Sequence, residues 1–360
     1  MKTPVHLLIF LLFYTQTSAQ KIPGAEIGIK GQLGFIIPHH TVMQYLVQGH
    51  AQLGEIYFEK LASGKKNWHR IYNQPEIGLA LNIGNMGNTE ALGYGITLIP
   101  YMKLHMIKKE KFHFNARIGT GIGYLTEHFD RLENNKNVAI GSGLNITASL
   151  QFEPEWKLKH YDIGFGFAFL HYSNGAFKMP NLGINIPAMS FHIGYKLNNL
   201  PMNIRTEAPA EKWKPIHQWD ILLSLGVKEI FPTGGAKFPV YNLSSTFRRM
   251  YSEKSNFLLG ADLNYNGAHH SSIDRITVGE VSKLSTVRLG FTVGYGLTMD
   301  EFMMFIQQGV YALNIHEYDG WFYHRVGGKY TLNDHYNFSF SLKTHFAKAD
   351  TFELGVGYAF

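Results

Sequence analysis

The chain ends with the stretch TFELGVGYAF, residues 351–360, in which apolar or aromatic residues alternate with small or polar ones. Side chains at every second position of a β-strand point to the same face. One face of this stretch would therefore carry Phe352, Leu354, Val356, Tyr358 and Phe360. The preceding stretch HYNFSFSLKTHF, residues 335–346, alternates in the same way. An apolar face opposite a polar face suits a strand with lipid outside and water inside, which indicates a transmembrane β-barrel.

Period-two alternation recurs from residue 25 to the end of the chain, and helical periodicity is nowhere sustained. Sixteen candidate strands of about 9 to 13 residues can be drawn, close to the length of a tilted strand that crosses a bilayer. The alternation is weak near 47–58, 239–251 and 302–313, so we predict about 16 strands, with a range of 12–16. The predicted fold class is all-β, an antiparallel up-and-down barrel.

Closure of the barrel is expected because an open sheet edge in lipid would leave backbone N–H and C=O groups without partners. The segment from Asn198 to Trp219 carries three prolines and no alternation, and it separates two sets of about eight strands. We interpret it as a long turn within one barrel of residues 20–360, in which residues 20–200 form one half and residues 217–360 add further strands. A soluble β-sandwich, the alternative fold, would have to hide every aromatic face internally.

The N-terminal stretch MKTPVHLLIFLLFYTQTSAQ has one lysine, an apolar core and small residues before Gln20. This pattern predicts a signal peptide of residues 1–19 and an exported protein. No later segment has the roughly 18 apolar residues of a transmembrane helix. The chain has no cysteine, which excludes a disulfide scaffold and a lipoprotein anchor.

Charged residues make up 17% of the chain, below the roughly 25% of an average soluble domain. The net charge of +6 comes from basic residues scattered along the chain, which argues against nucleic acid as a partner. Such scatter is typical of a solvated barrel rim and lumen, with attraction to anionic lipid head groups as the alternative. The final Phe360, with alternating apolar residues before it, resembles the signal that outer-membrane barrels present to the barrel assembly machinery.

A histidine and a serine continue an apolar face in the candidate strand YDIGFGFAFLHYS, residues 161–173. The outward positions of this strand carry Phe165, Phe167, Phe169, His171 and Ser173. Side chains two residues apart have Cα atoms ~6.5–7 Å apart, so an imidazole can reach a neighbouring hydroxyl. Asn185 precedes the next candidate strand on the same side, so three polar groups are predicted to converge on the outside of the barrel.

Polar groups in hydrocarbon lose hydrogen bonds to water, so this placement indicates a function. The alternative is that the strand has simply reached the head-group level of the membrane. If the N-terminus is periplasmic and 161–173 is the seventh strand, the strand runs outward. His171 and Ser173 then lie at the outer leaflet, where lipopolysaccharide resides.

The motif His171-Tyr172-Ser173-Asn174, with the later spacing of Lys178, Pro180, Asn181, Gly183 and Ile184, resembles the active-site stretch of the outer-membrane lipid A 3-O-deacylases (PagL) or acyloxyacyl hydrolases. The resemblance is clear over residues 161–197 and loose over 75–160, and nothing in the family accounts for residues 217–360. Members are small barrels with a Ser, His and Glu triad on the lipid-facing exterior. The resemblance implies an ester hydrolase of the bacterial outer membrane that acts on lipid A among outer-membrane lipids.

By position, the resemblance implies Ser173 as the nucleophile that attacks an acyl ester and His171 as the general base. The groups expected to bind the oxyanion and the substrate belong to Asn174, Gly175 and Asn181. The family's glutamate falls on Asn185, whose amide oxygen can accept the imidazole N–H but supplies no charge. No cofactor is implied.

Other patterns in the sequence are weaker. His39 and His40 are adjacent and would point to opposite faces of a strand, which argues against a metal site. The glycine-rich stretch GTGIGYL, residues 119–125, lies in a candidate strand, where glycine allows close packing rather than phosphate binding. The asparagine at position 185 leaves a second function open, that of a noncatalytic barrel serving as a channel or scaffold.

Overall fold

The computed structural model describes residues 24–197, 214–274, 286–314, 319–346 and 348–360. These residues form sixteen strands, all paired antiparallel, which confirms the predicted all-β barrel class and the predicted number of strands. The predicted signal peptide, residues 1–19, lies outside the described residues. Within the described ranges, no helix has the length and apolar character needed to span a membrane.

The first eight strands form a closed barrel in which each strand pairs with its neighbours in the chain. They are β1 (Ala25–Gly34), β2 (Ala51–Leu61), β3 (Glu76–Asn85), β4 (Tyr94–Lys109), β5 (Phe112–Leu125), β6 (Leu144–Lys157), β7 (Tyr161–Ser173) and β8 (Ile184–Lys196). A 3-10 helix (Thr41–Leu46) follows β1, and a short helix, α1 (Asn67–Ile71), follows β2. The strand that carries the predicted site is the seventh, as the alternation indicated.

The remaining strands form a second closed barrel. They are β9 (Ile216–Glu229), β10 (Lys237–Met250), β11 (Ser255–Asn266), β12 (Val287–Met299), β13 (Phe302–Leu313), β14 (Phe322–Leu332), β15 (Tyr336–His345) and β16 (Lys348–Ala359). A short helix, α2 (Ala268–Asp274), follows β11.

The predicted single barrel of residues 20–360 is wrong, because the sixteen strands close as two barrels of eight. β8 pairs with β1 over nine residue pairs, from Glu26–Lys196 to Gly34–Ala188, and β9 pairs with β16 in the same way at the other closure. The edge of β8 that a larger barrel would offer to β9 is therefore occupied by β1. Among the described residues, one compact unit contains β1–β8 except for Ser173 at the end of β7, and the other contains β9–β16 together with residues 138–142 and 173–182.

The outward faces of both barrels are apolar, as predicted. In β7, Phe165 and Phe167 are 48% and 45% exposed, and in β16 Leu354 is 69% exposed. The intervening residues point inward, for example Asp162 in β7 and Glu353 in β16, each 1% exposed. The apolar residues of the alternating pattern thus face the outside of the barrel, and the residues between them face its interior.

The interior of the first barrel is filled by side chains in two layers. At the end where β7 begins, buried acidic and basic groups pair: Arg117 Nη1 lies 2.6 Å from Glu55 Oε1, and Lys30 pairs with Glu153. At the end where β7 finishes, the interior is apolar, with fully buried Leu170, Tyr172, Ile184, Ile186, Leu125 and Met86. An eight-stranded barrel is just wide enough for side chains to fill it. The end of β7 therefore rests on a packed apolar layer.

The interior of the second barrel is also charged and paired. The Arg325 guanidinium contacts Asp262 Oδ2 and Glu353 Oε2, each at 2.8 Å, and Lys329 pairs with Asp220. These groups are buried, and each charge has an opposite partner.

Candidate active site

Strands β7 and β8 bring His171 and Asn185 directly opposite each other in the ladder. Both side chains belong to the outward-facing set, and the two are hydrogen-bonded with His171 Nδ1 2.7 Å from Asn185 Oδ1. Because an amide oxygen can only accept, His171 Nδ1 carries the proton and Nε2 carries the lone pair. The structure thus brings together the predicted base and the residue at the position of the family's glutamate.

A second histidine, His39, contacts the same amide, and the sequence reasoning missed it. Asn185 Nδ2 lies 3.2 Å from His39 Nδ1. The chain beyond β1 continues to pair with the start of β8, where Ile37 N–H donates to Asn185 O at 3.0 Å. His39 lies two positions after the exposed Ile37, so both side chains would point to the outer face of an extended chain. This spacing could have placed His39 next to Asn185 only if the pairing of β1 with β8 had been known.

Ser173 ends β7, and its hydroxyl lies among nitrogen donors of the following loop. Gly175 N–H donates to Ser173 Oγ at 3.1 Å, and Asn181 Nδ2 donates to it at 3.0 Å. The serine hydroxyl can donate to Asn181 Oδ1 at 3.3 Å, and the same oxygen accepts Asn174 N–H at 3.0 Å. Ser173 is only 4% exposed. Two of the three groups predicted to bind the oxyanion therefore do contact the predicted nucleophile.

The side chain of Asn174 contacts Ser142 and Lys178. Its Nδ2 donates to Ser142 Oγ at 2.9 Å and to Lys178 O at 2.8 Å, and its Oδ1 accepts Lys178 N–H at 3.3 Å. Both amide N–H groups and one lone pair of the amide oxygen are thus used by Ser142 of the loop before β6 and by Lys178, so the side chain connects the two loops.

A tight turn gives this loop its shape. Phe177 N–H donates to Asn174 O at 3.1 Å, and the two central residues, Gly175 and Ala176, have φ of 61° and 64°. Positive φ at both central positions is the mark of a type I′ turn. The turn directs Gly175 N–H back to Ser173 Oγ.

Within the described residues there is no hydrogen bond between His171 and Ser173, although they lie two positions apart in one strand. The imidazole is oriented by Asn185 and the hydroxyl is engaged with Asn181. Hydrogen bonds between catalytic groups are often long without substrate and form in the Michaelis complex.

The described part of the second barrel has one cluster of metal-ligating groups, Asp319, His345 and Asp350, with ligand atoms within 4.8 Å of one another. Basic side chains already compensate it: Lys228 pairs with Asp350, and Arg288 Nη2 lies 3.2 Å from Asp319 Oδ2. Burial alone would raise the pKa of Asp319, but these neighbouring cations lower it to about 2. The cluster is therefore an ion-pair network in which basic side chains neutralise the two carboxylates, and it does not resemble a metal site.

Comparisons with solved structures return porins. Two engineered variants of the porin of Rhodopseudomonas blastica are 6% and 7% identical to this chain, and each match covers 93% of this chain and 99% of the porin. Their TM-scores of 0.19 are too low for any detailed correspondence. No curated protein matches the chain.

Two family profiles match adjacent parts of the sequence. The profile of the lipid A 3-O-deacylase (PagL) matches residues 55–195, which run from β2 to β8. The profile of the acyloxyacyl hydrolase C-terminal domain matches residues 217–360, which are the second barrel. The expectation that nothing in the family accounts for residues 217–360 is therefore wrong, whereas the resemblance read from the motif at residue 171 is confirmed. The chain belongs to the lipid A 3-O-deacylase (PagL) family.

Proposed function

We propose that this protein is an outer-membrane lipid A 3-O-deacylase that cleaves an acyl ester through Ser173 and His171. The observation that carries the proposal is the 2.7 Å contact between His171 Nδ1 and Asn185 Oδ1. It supplies a group that orients the imidazole where the family has a glutamate. An imidazole protonated on Nδ1 presents a basic Nε2 to a serine in the same strand.

The chemistry follows the acyl-enzyme route. Ser173 Oγ attacks the ester carbonyl carbon while its proton passes to His171 Nε2, which requires the hydroxyl to turn from Asn181 toward the imidazole. Collapse of the tetrahedral intermediate breaks the bond to the sugar oxygen, and that oxygen takes the proton from His171 and leaves as a free hydroxyl on lipid A. Water then attacks the acyl-serine, loses its proton to the same nitrogen, and releases a fatty acid as Ser173 regains its proton.

We assign the oxyanion role to Gly175 N–H and Asn181 Nδ2. Both donors lie within 3.1 Å of Ser173 Oγ, next to the position where the carbonyl oxygen of a bound ester would gain charge. Asn174 supports them indirectly, because its side chain joins the loop at Ser142 and Lys178.

The outer surface beside the site suits an acyl chain. Met189 and Phe191 of β8 are 61% and 54% exposed, and they pair across the sheet with Phe167 and Phe165 of β7. In a bilayer this face would meet lipid tails, and strands of 10 to 16 residues are long enough to cross the hydrocarbon layer. We place the protein in the bacterial outer membrane, inserted by the barrel assembly machinery, with β7 running toward the leaflet that holds lipopolysaccharide.

The channel alternative receives less support from the structure. Paired charges fill one end of the first barrel and apolar side chains fill the other, so ions would have to displace packed groups such as Leu170 and Tyr172. Opening a pore through this interior would cost free energy, because the packed side chains would lose van der Waals contacts with one another.

The test is mass spectrometry of lipid A after expression in a Gram-negative host whose lipid A is fully 3-O-acylated. Wild-type protein is expected to remove one ester-linked acyl chain, and Ser173→Ala is expected to leave the lipid A profile unchanged. Ser190→Ala is the matched control, since Ser190 lies on β8, is buried in the interior, and its hydroxyl has no hydrogen-bond partner among the described residues.

Folding is checked for each variant by the shift in gel mobility that barrels show on heating. An unchanged lipid A profile with abundant, folded wild-type protein would contradict the hydrolase. Equal activity of wild type and Ser173→Ala would remove the serine from the mechanism.

A further inference from the structure

The side chain of Asn185 lies between two imidazoles. Its Oδ1 accepts from His171 Nδ1 at 2.7 Å, and its Nδ2 donates to His39 Nδ1 at 3.2 Å. A carboxylate would offer an acceptor to both rings, but an amide accepts at one end and donates at the other. If His39 accepts the amide N–H of Asn185, the amide oxygen must therefore face His171.

We propose that His39 is a positioning residue that fixes the orientation of the Asn185 amide and, through it, the tautomer of His171. This inference rests on the proposed role of His171 as the base. With His39 Nδ1 as acceptor, the amide oxygen turns to His171, and His171 keeps its proton on Nδ1. In the reverse orientation the amide nitrogen would meet His171 Nδ1, the proton would move to Nε2, and the imidazole could not accept the serine proton.

The backbone holds His39 where this role requires it. Phe35 N–H donates to Pro187 O at 3.2 Å and Ile37 N–H donates to Asn185 O at 3.0 Å, so the pairing of β1 with β8 extends to the site. Asn185 is thus held through its carbonyl by Ile37 and through its amide by His39. The contact is built into the sheet.

A backbone carbonyl lies next to the same nitrogen of the His39 ring. Ile37 O lies 3.3 Å from His39 Nδ1 and could receive a proton from it. That carbonyl already accepts the backbone N–H of His39 at 3.0 Å. A carbonyl oxygen has two lone pairs, so Ile37 O and Asn185 Nδ2 compete for His39 Nδ1, and we assign Nδ1 as the acceptor because its contact with Asn185, at 3.2 Å, is the shorter of the two.

The inference explains how an asparagine can serve at position 185. In serine proteases, replacing the triad aspartate by asparagine lowers kcat by about 10⁴ because the histidine adopts the wrong tautomer. A second hydrogen-bond acceptor that engages the amide nitrogen prevents this failure. The charge of the glutamate is still missing, but the correct tautomer is retained.

Kinetics of the purified full-length protein on lipid A in detergent micelles test the proposal. His39→Leu removes the acceptor and is expected to lower kcat about fivefold with KM unchanged, equivalent to ~1 kcal/mol for one net hydrogen bond. His39→Gln supplies an amide oxygen in its place and is expected to restore most of the rate. His50→Leu, an exposed histidine of the same connection between β1 and β2, is the matched control and should match wild type.

A second background separates orientation from general structure. In Asn185→Asp both side-chain oxygens accept, so His171 Nδ1–H is fixed without help and His39→Leu is expected to change kcat less than twofold. An equal loss in both backgrounds would show that His39 acts merely on folding, and the proposal would be overturned.

Nitrogen-15 NMR of the histidine rings gives a readout that does not need activity. His171, assigned through the signal lost in His171→Gln, should be protonated on Nδ1 in wild type and should gain an Nε2-protonated population in His39→Leu. An unchanged tautomer in His39→Leu would overturn the inference even if the protein deacylates lipid A. A shifted tautomer in a protein without deacylase activity would uphold it and refute the proposed function instead.

Discussion

Replacing Asn185 by aspartate is the sharpest test of the site, because it restores the charge of the family's glutamate while keeping the length of the side chain. The acceptor oxygen remains 2.7 Å from His171 Nδ1. The second oxygen takes the place of Nδ2, 3.2 Å from His39 Nδ1, and His39 can respond by placing its own proton on that nitrogen. The perturbation therefore changes the charge and leaves the geometry.

The expected gain follows from the strength of the hydrogen bond. A neutral hydrogen bond contributes about 1 kcal/mol net, and a bond to a charged group contributes about 1.5–3 kcal/mol. The carboxylate exerts its extra attraction when the imidazolium forms, so the difference appears in the transition state. A gain of ~1.4 kcal/mol corresponds to about a tenfold increase in kcat.

The assay is the release of fatty acid from purified lipid A under single-turnover conditions, which isolates acylation from product release. The matched control is Gln52→Glu, which puts a carboxylate on the exposed outer face of β2, away from the imidazole. The double variant Ser173→Ala with Asn185→Asp must be inactive. A folded Asn185→Asp protein with a rate equal to or below wild type would refute the assignment of Asn185 as the group that orients His171.

Two further predictions concern the interior and the loop. Arg117→Met removes the 2.6 Å partner of the buried Glu55 but leaves Lys30 Nζ 3.6 Å from the same carboxylate, so it should lower the free energy of unfolding by about 1.5–3 kcal/mol, the contribution of one hydrogen bond to a charged group, measured by urea unfolding in liposomes. The added change Glu55→Leu should recover much of this loss, and an unchanged midpoint in Arg117→Met would show that the pair does not matter. Gly183→Ala should lower kcat severalfold, because Gly183 has φ of 82° and a Cβ there would lie 3.0 Å from His171 Cε1. Gly234, with φ of 77° and no atom within 4 Å of an added Cβ, is the control, and equal losses in the two variants would mean that strain rather than the ring contact is responsible.

The strands could be predicted from the sequence because their signal is local. Alternation within 161–173 placed the seventh strand with the bounds that the structure shows, and Asn185 was placed on the same face as His171. The number of barrels could not be predicted in this way. A strand such as β8 has the same alternation whether its second neighbour is β1 or β9, so closure depends on pairing between distant segments.

The same distinction applies to the site. The motif at residue 171 identified the base, the nucleophile and the residue at the glutamate position, because these follow from spacing along two adjacent strands. His39 is 146 positions from Asn185, and no local pattern connects them. Asn174 was assigned to the oxyanion because the motif puts it next to Ser173, but its amide is occupied by Ser142, which lies in another loop. Contacts of this kind are visible only once the sheet is assembled.

The closure of β8 onto β1 and of β16 onto β9 has a consequence for how such a chain can change over generations. Among the described strands, every ladder hydrogen bond of β1–β8 lies within the first ring and every one of β9–β16 within the second, so a gene that gained or lost strands 217–360 would leave no unpaired strand edge in the first ring.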